Sequence, residues 1–236
     1  MQLKAPERQF WDDHARSYAM VRHSPVYQSF IDETVALADP KQSDVCLDLG
    51  CGPGFFTMAL ASRGGRVIGV DFAPRMFALA QAARSRWERA QPRSPNHVEL
   101  VDAEVSAWLA AQSSDSADVI VASLLLSYLF DPADFLAHVR RVLRPRGRFV
   151  MSNPVPHARF SRIFWRSGWR AWRYLPYAIR LLRYGAEITR LERDGAARFY
   201  SPEDTRRLLA EAGFPEADWT IRPAYAETCI LTRAIK

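Results

Sequence analysis

Asp48 stands two residues before the first of three glycines at alternate positions, Gly50, Gly52 and Gly54, in Val45-Cys-Leu-Asp-Leu-Gly-Cys-Gly-Pro-Gly-Phe-Phe-Thr57. An apolar run ends around the acid, and an apolar helical pattern begins after the glycines. That order reads as a buried strand, a tight turn and a helix N-terminus, where bare backbone lets a ligand come close. A second acid, Asp71, closes the next apolar run, Val67-Ile-Gly-Val70. A carboxylate at the tip of a second strand is placed to bind a ribose diol. The glycine register is G-x-G-x-G, and Phe55 fills the place that a dinucleotide fingerprint gives to its third glycine. Asp48 would repel a pyrophosphate and attract an ammonium group. These residues suit a nucleoside cofactor with an ammonium group better than a dinucleotide.

Such a turn needs strands and helices to hold it. Short apolar runs give strand candidates at 44–49, 66–70, 97–101, 117–122, 147–152, 218–222 and 226–233. Stretches of 3.6-residue period give helices at 55–63, 74–90, 104–112, 132–143 and 202–213. Their alternation predicts an α/β fold with a parallel sheet wound on both faces. Asp131 with Pro132 and Ser201 with Pro202 are helix starts, and Gly213 is a helix stop. Residues 7–38 read as one or two helices before the first strand. Residues 153–200 interrupt the rhythm after the fifth.

The bulk numbers bound the class. A chain of 236 residues, 48% hydrophobic, can bury the full core of one α/β domain. No apolar run reaches membrane-spanning length, and the first residues lack the apolar centre of a signal peptide. Cys46, Cys51 and Cys229 show no metal spacing, so reduced thiols and a cytoplasmic location are expected. The net charge of +6 is uneven: Phe135 to Ala186 holds twelve arginines and no acid. The rest of the chain is therefore net acidic.

The D-x-G-C-G-x-G pattern followed by Asp71 resembles motif I of the class I S-adenosylmethionine methyltransferases, over roughly residues 10–233. The resemblance implies a Rossmann-like, seven-stranded, mostly parallel sheet with helices on both faces and an antiparallel last strand. It implies one methyltransferase domain over 1–236, with an N-terminal helical cover at 1–40 and a cofactor-binding core at 41–152. A helical lid at 153–200 and a C-terminal helix and strands at 201–236 complete it. S-adenosylmethionine is the implied cofactor. Asp48 would receive its amino group, and Gly50, Gly52 and Gly54 would pack on its amino-acid tail. Asp71 would accept the ribose hydroxyls, Phe72 and Met76 would sandwich the adenine, and Asp102 with the Ala103 amide would read its edge. Ser123 would lie near the sulfonium, and Tyr18 would close over the cofactor. Plainer roles stay open: a helix cap for Asp102, core packing for Phe72 and Met76, helix packing for Tyr18.

The acceptor is less marked. Ala122-Ser-Leu-Leu-Leu-Ser-Tyr-Leu-Phe-Asp-Pro132 is not the Asn-Pro-Pro-Tyr type used on exocyclic amines. It resembles the corresponding stretch of small-molecule methyltransferases of the quinone and sterol group. Ser127 and Tyr128 stand where those carry two histidines. His157, after the fifth strand, and Tyr128 are the candidate catalytic groups. His14, His23, Phe160, Trp165, Trp169 and Trp172 are candidates for the acceptor pocket. In the lid, Arg162, Arg166, Arg170 and Arg173 share one helical face beside the tryptophans, and Pro176 is expected to break that helix before a second, short one. The expected activity is methyl transfer to a small apolar or aromatic acceptor, with oxygen favoured over carbon. An RNA methyltransferase, an enzyme meeting the membrane through 159–184, or a non-catalytic cofactor-binding regulator are the alternatives. The sequence leaves the oligomeric state open.

Overall fold

Two helices precede the first strand, as the reading of residues 7–38 predicts. The computed structural model describes residues 8–92, 97–166 and 175–236. Helix α1 spans Arg8–Ala19 and α2 spans Pro25–Ala38. Pro25 opens α2, where its fixed φ suits the first turn, and Asp39 ends it in the left-handed region. Strands β1 (Val45–Leu49), β2 (Arg66–Asp71), β3 (His97–Asp102), β4 (Ala117–Ser123) and β5 (Leu143–Pro154) follow. Between them lie α3 (Phe55–Ala61), α4 (Pro74–Ala90), α5 (Val105–Ala110) and α6 (Pro132–Val142). The chain continues with α7 (Ser161–Arg166), α8 (Leu175–Arg193), α9 (Pro202–Glu211), β6 (Thr220–Ala224) and β7 (Cys229–Ile235). Asp131 caps α6, and Ser201 with Asp204 forms a capping box on α9.

The seven strands form one sheet in the order β3-β2-β1-β4-β5-β7-β6. β1 to β5 are mutually parallel, while β7 runs antiparallel between β5 and β6. The order reverses between β1 and β4, which opens a crevice at the carboxyl ends of those strands. Apolar strands buried on both faces hold the sheet: Cys46, Val67, Val119 and Val150 pack toward α2 and α3, and Leu47, Ile120 and Phe149 pack toward α5, α6 and α9. Each such side chain contributes about 1.5–3 kcal/mol. On a third patch, Ala15 of α1 meets Ala73, the residue before α4, and Met76 of α4, with Trp11 and Tyr18 beside them.

Two expected elements differ. The last strand does not run from 226: Tyr225, Ala226 and Glu227 all have positive φ and turn the chain between β6 and β7. The helix at Pro176 is not short. Pro176 lies in the first turn of the 19-residue α8, where no backbone donor is required. Among the described residues, no helix is long and apolar enough to cross a membrane.

Candidate active site

Gly50, Gly52 and Asp71 converge on a cavity of about 470 Å³ at the crevice between β1 and β4. The loop after β1 is docked on β2, since the Gly50 and Cys51 N–H groups both donate to the Val70 carbonyl at 2.9 Å. Asp71 fixes its far side. Its Oδ2 accepts the Gly52 N–H at 2.8 Å and its Oδ1 accepts the Ala73 N–H at 2.9 Å. The carboxyl is 7% exposed. Burial pushes it above the ordinary carboxylate value, and these backbone donors pull it partly back.

The three glycines serve two purposes. Gly52 has φ +51°, and the nearest atoms to a Cβ built on it are Met76 Sδ and Tyr18 Cε1, both at 3.9 Å. That space is the cavity itself, so a side chain here would fill the ligand's place. Gly54 has φ +80°, and its Cβ would lie 3.3 Å from the Ala80 backbone. Its left-handed backbone and the close approach of α3 to α4 both favour glycine at 54, which is not among the residues lining the cavity.

Asp48 lies beneath the loop and outside the cavity wall. Its Oδ2 accepts the Thr57 hydroxyl at 2.5 Å. Burial, countered by that hydrogen bond and reinforced by the charge of Asp71, pushes its carboxyl up to about 7. Phe72 and Met76 line one wall, with Trp11 and Tyr18 of α1 nearby. The Tyr18 hydroxyl meets that of Tyr27 at 3.2 Å, and burial raises the Tyr18 phenol to about 12. Ser123 lines the cavity at the end of β4, its hydroxyl 3.0 Å from that of Ser152. Asp102 and Ala103 are absent from the wall. Asp102 is exposed and paired with Arg8, and the Ala103 N–H donates to the Asp71 carbonyl at 3.2 Å. The next residues, Glu104, Val105 and Ser106, line the cavity instead, and Glu104 is the residue that caps α5.

The rest of the lining is largely apolar and aromatic, and includes Leu125, Tyr128, Phe130, Phe160, Ile163, Ile188, Tyr225 and Cys229. Tyr128 packs edge-on to Trp11 at 4.8 Å, and burial pushes its phenol far above its ordinary value. A Cβ on Gly185 would come within 2.7 Å of Phe160, so glycine lets α8 meet that ring. No histidine lines the cavity among the described residues. His157, the expected base, is exposed at φ +58°, and its backbone N–H donates to Glu192 Oε1 at 3.3 Å. His14 bonds Glu187 Oε2 at 2.5 Å and the Phe10 carbonyl at 2.6 Å. His23 is exposed and accepts from Arg22. Trp165 is 73% exposed and outside the wall. Trp169 and Trp172 lie outside the described residues.

Several lining residues escaped the sequence reading, among them Trp11, Tyr27, Leu125, Phe130, Tyr225 and Cys229. For Trp11 a signal existed: Trp11, Ala15 and Tyr18 share one helical face by spacing.

A parallel sheet with a reversed strand order, a glycine cradle and a carboxylate at the tip of β2 defines a nucleoside-binding α/β enzyme class. Residues 47–151 match a family model described as a methyltransferase domain. A malonyl-[acyl-carrier protein] O-methyltransferase from Paenibacillus is 27% identical over 71% of this chain and 54% of its own length. A protein named as a probable S-adenosylmethionine-dependent methyltransferase from Mycolicibacterium smegmatis is 31% identical over 86% of this chain and 66% of its own. The chain spans about half the length of the curated relatives it matches. In the solved N-methyltransferase NodS from Bradyrhizobium japonicum, which holds S-adenosylhomocysteine, the fold superposes with a TM-score of 0.64 at 18% identity, covering 97% of both chains. The chain carries a methyltransferase domain of the S-adenosylmethionine-dependent kind. S-adenosylmethionine is its cofactor, and the open space at Gly52 beside the buried Asp71 carboxylate fits that nucleoside.

Proposed function

We propose that this chain transfers the methyl group of S-adenosylmethionine to a small apolar or aromatic acceptor, with oxygen as the favoured receiving atom. The single observation behind this is one cavity lined both by the Asp71 carboxylate with the Gly50 and Gly52 backbone and by a set of apolar and aromatic side chains. The O-methyltransferase name of the Paenibacillus relative supports oxygen.

When bound, the cofactor supplies a methyl group already activated on a sulfonium. The chain's residues orient and exclude water. Asp71 binds the ribose hydroxyls, Gly50 and Gly52 leave room for the amino-acid tail, and Phe72 and Met76 flank the adenine. Tyr18 closes over the cofactor beside Gly52. Asp48, held by Thr57, acts on the amino group through the loop. Helices α1, α7 and α8 cover the cavity through Trp11, Tyr18, Ile163 and Ile188. Holding acceptor and methyl in line is worth about 7–11 kcal/mol. Burial keeps the Tyr128 phenol protonated near neutral pH, so Tyr128 donates a hydrogen bond and does not act as a base. Without a histidine among the described lining residues, the site suits an acceptor hydroxyl of phenolic acidity.

The test is methyl transfer from radiolabelled S-adenosylmethionine to a panel of phenols, with an RNA pool as the contrast. Label on a phenol and none on RNA is expected. Label on RNA alone overturns the reading, and cofactor binding without transfer to any acceptor favours a regulator.

A second reading, contact of segment 159–184 with a membrane surface, is favoured by Trp165, 73% exposed, and Phe130, 66% exposed at the cavity wall. Absence of co-sedimentation with anionic vesicles at low salt removes it.

A further inference from the structure

Glu227 joins two walls of the cavity. Its Oε2 accepts Arg162 Nη1 and its Oε1 accepts Arg166 Nη2, each at 2.8 Å. The two arginines lie one turn apart on α7, the helix that places Ile163 in the cavity wall just after Phe160. Glu227 itself sits in the turn between β6 and β7, whose flanking residues Tyr225 and Cys229 line the same cavity. The turn is unusual. Tyr225, Ala226 and Glu227 have φ of 49°, 58° and 62°, three consecutive left-handed residues without a glycine. Such backbone persists only where its surroundings hold it. Here the Thr228 hydroxyl and N–H donate to the Tyr225 carbonyl at 2.6 and 3.2 Å, and the Tyr225 ring stacks on Phe30 at 5.1 Å.

A strained turn that delivers one carboxylate to two guanidinium groups across a cavity has a mechanical use. We propose that Glu227 is a positioning residue that clasps α7 to the β6–β7 turn and so fixes the acceptor-side wall. The inference rests on the cavity being the cofactor and acceptor site. The three side chains are 48–60% exposed, so the clasp is screened by salt and can be released. Release lets α7 move away from the cavity, and re-forming the clasp closes it.

The test is hydrogen exchange of the amides at 160–166, read on the full chain with and without S-adenosylhomocysteine, together with the dissociation rate of that nucleoside by stopped flow. Glu227→Gln, and separately the pair Arg162→Gln with Arg166→Gln, are each expected to speed both by about threefold to tenfold, the effect of losing roughly 0.7–1.4 kcal/mol. The pair leaves the strained turn untouched, so it reports on the clasp alone. Concentrated salt should bring the wild-type protein toward the variants. Exchanging the charges, Glu227→Arg with Arg162→Glu and Arg166→Glu, should restore slow exchange. Unchanged exchange at 160–166 in the arginine pair overturns the clasp, even if Glu227→Gln is fast. Exchange needs no nucleoside, so failure to bind S-adenosylhomocysteine would strike the cofactor reading and not this one.

Discussion

Asp71 offers the sharpest separation between a ligand-binding and a purely structural role. Its oxygens take the backbone N–H of Gly52 at 2.8 Å and of Ala73 at 2.9 Å, and the Phe72 N–H also favours the charged form. A carboxylate has about four acceptor sites, so lone-pair capacity remains for a ligand hydroxyl. Asparagine preserves size and one acceptor, but its amide turns a donor toward one of those N–H groups. It also loses the charge-assisted bond to a ribose hydroxyl, at about 1.5–3 kcal/mol. That energy corresponds to a rise of about tenfold to 150-fold in the Kd of S-adenosylhomocysteine. Alanine removes both acceptors and should sit at or beyond the upper figure. Isothermal titration calorimetry on protein whose thermal midpoint has been checked measures it. A Kd for both variants within about threefold of wild type, under roughly 0.7 kcal/mol, refutes the ribose assignment.

Asp48 gives a pH signature. Its carboxyl rises to about 7 in the fold, so the native state holds the proton more tightly than the unfolded chain. Stability should therefore fall as pH rises from about 4 to about 7 and then level, by on the order of 4 kcal/mol at most. Asp48→Asn should flatten that dependence in urea titrations between pH 5 and 8, and an unchanged slope contradicts the burial account. Gly52→Ala should weaken S-adenosylhomocysteine binding at least tenfold, because its Cβ enters the cavity. Gly54→Ala should lower the unfolding midpoint by crowding the Ala80 backbone, with binding to the folded fraction little changed. Tyr128→Phe should raise the KM for a phenolic acceptor several-fold while leaving the cofactor Kd unchanged, and a shift in the cofactor Kd instead would relocate Tyr128 to the nucleoside end.

What the sequence disclosed is the part whose chemistry is local. A strand ending in an acid, a turn built of glycines and a second acid at the next strand tip need no distant partner to be recognised. The helix contact of Gly54 was not legible, because a glycine spared for a helix contact looks, in sequence, like one spared for a ligand. The acceptor end is written in aromatic residues with the spacing of ordinary core: Tyr27 continues the buried stripe of α2 through Phe30 and Ile31. Tyr225 was hidden by a turn without glycine, which made residues around 226 look like strand. His157 follows β5, where the topology points to the cavity mouth, but the backbone bond to Glu192 belongs to a turn that carries it outside. The Ala103 amide was unavailable because β2 and β3 extend in register to Asp71 and Asp102, which commits it to the Asp71 carbonyl.

The account stands on uptake of a sulfonium nucleoside or its demethylated product by the purified, folded chain. Calorimetric titration with S-adenosylhomocysteine should give a saturable, one-to-one isotherm that disappears in Asp71→Ala. A flat trace from wild-type protein with a normal unfolding transition would contradict it.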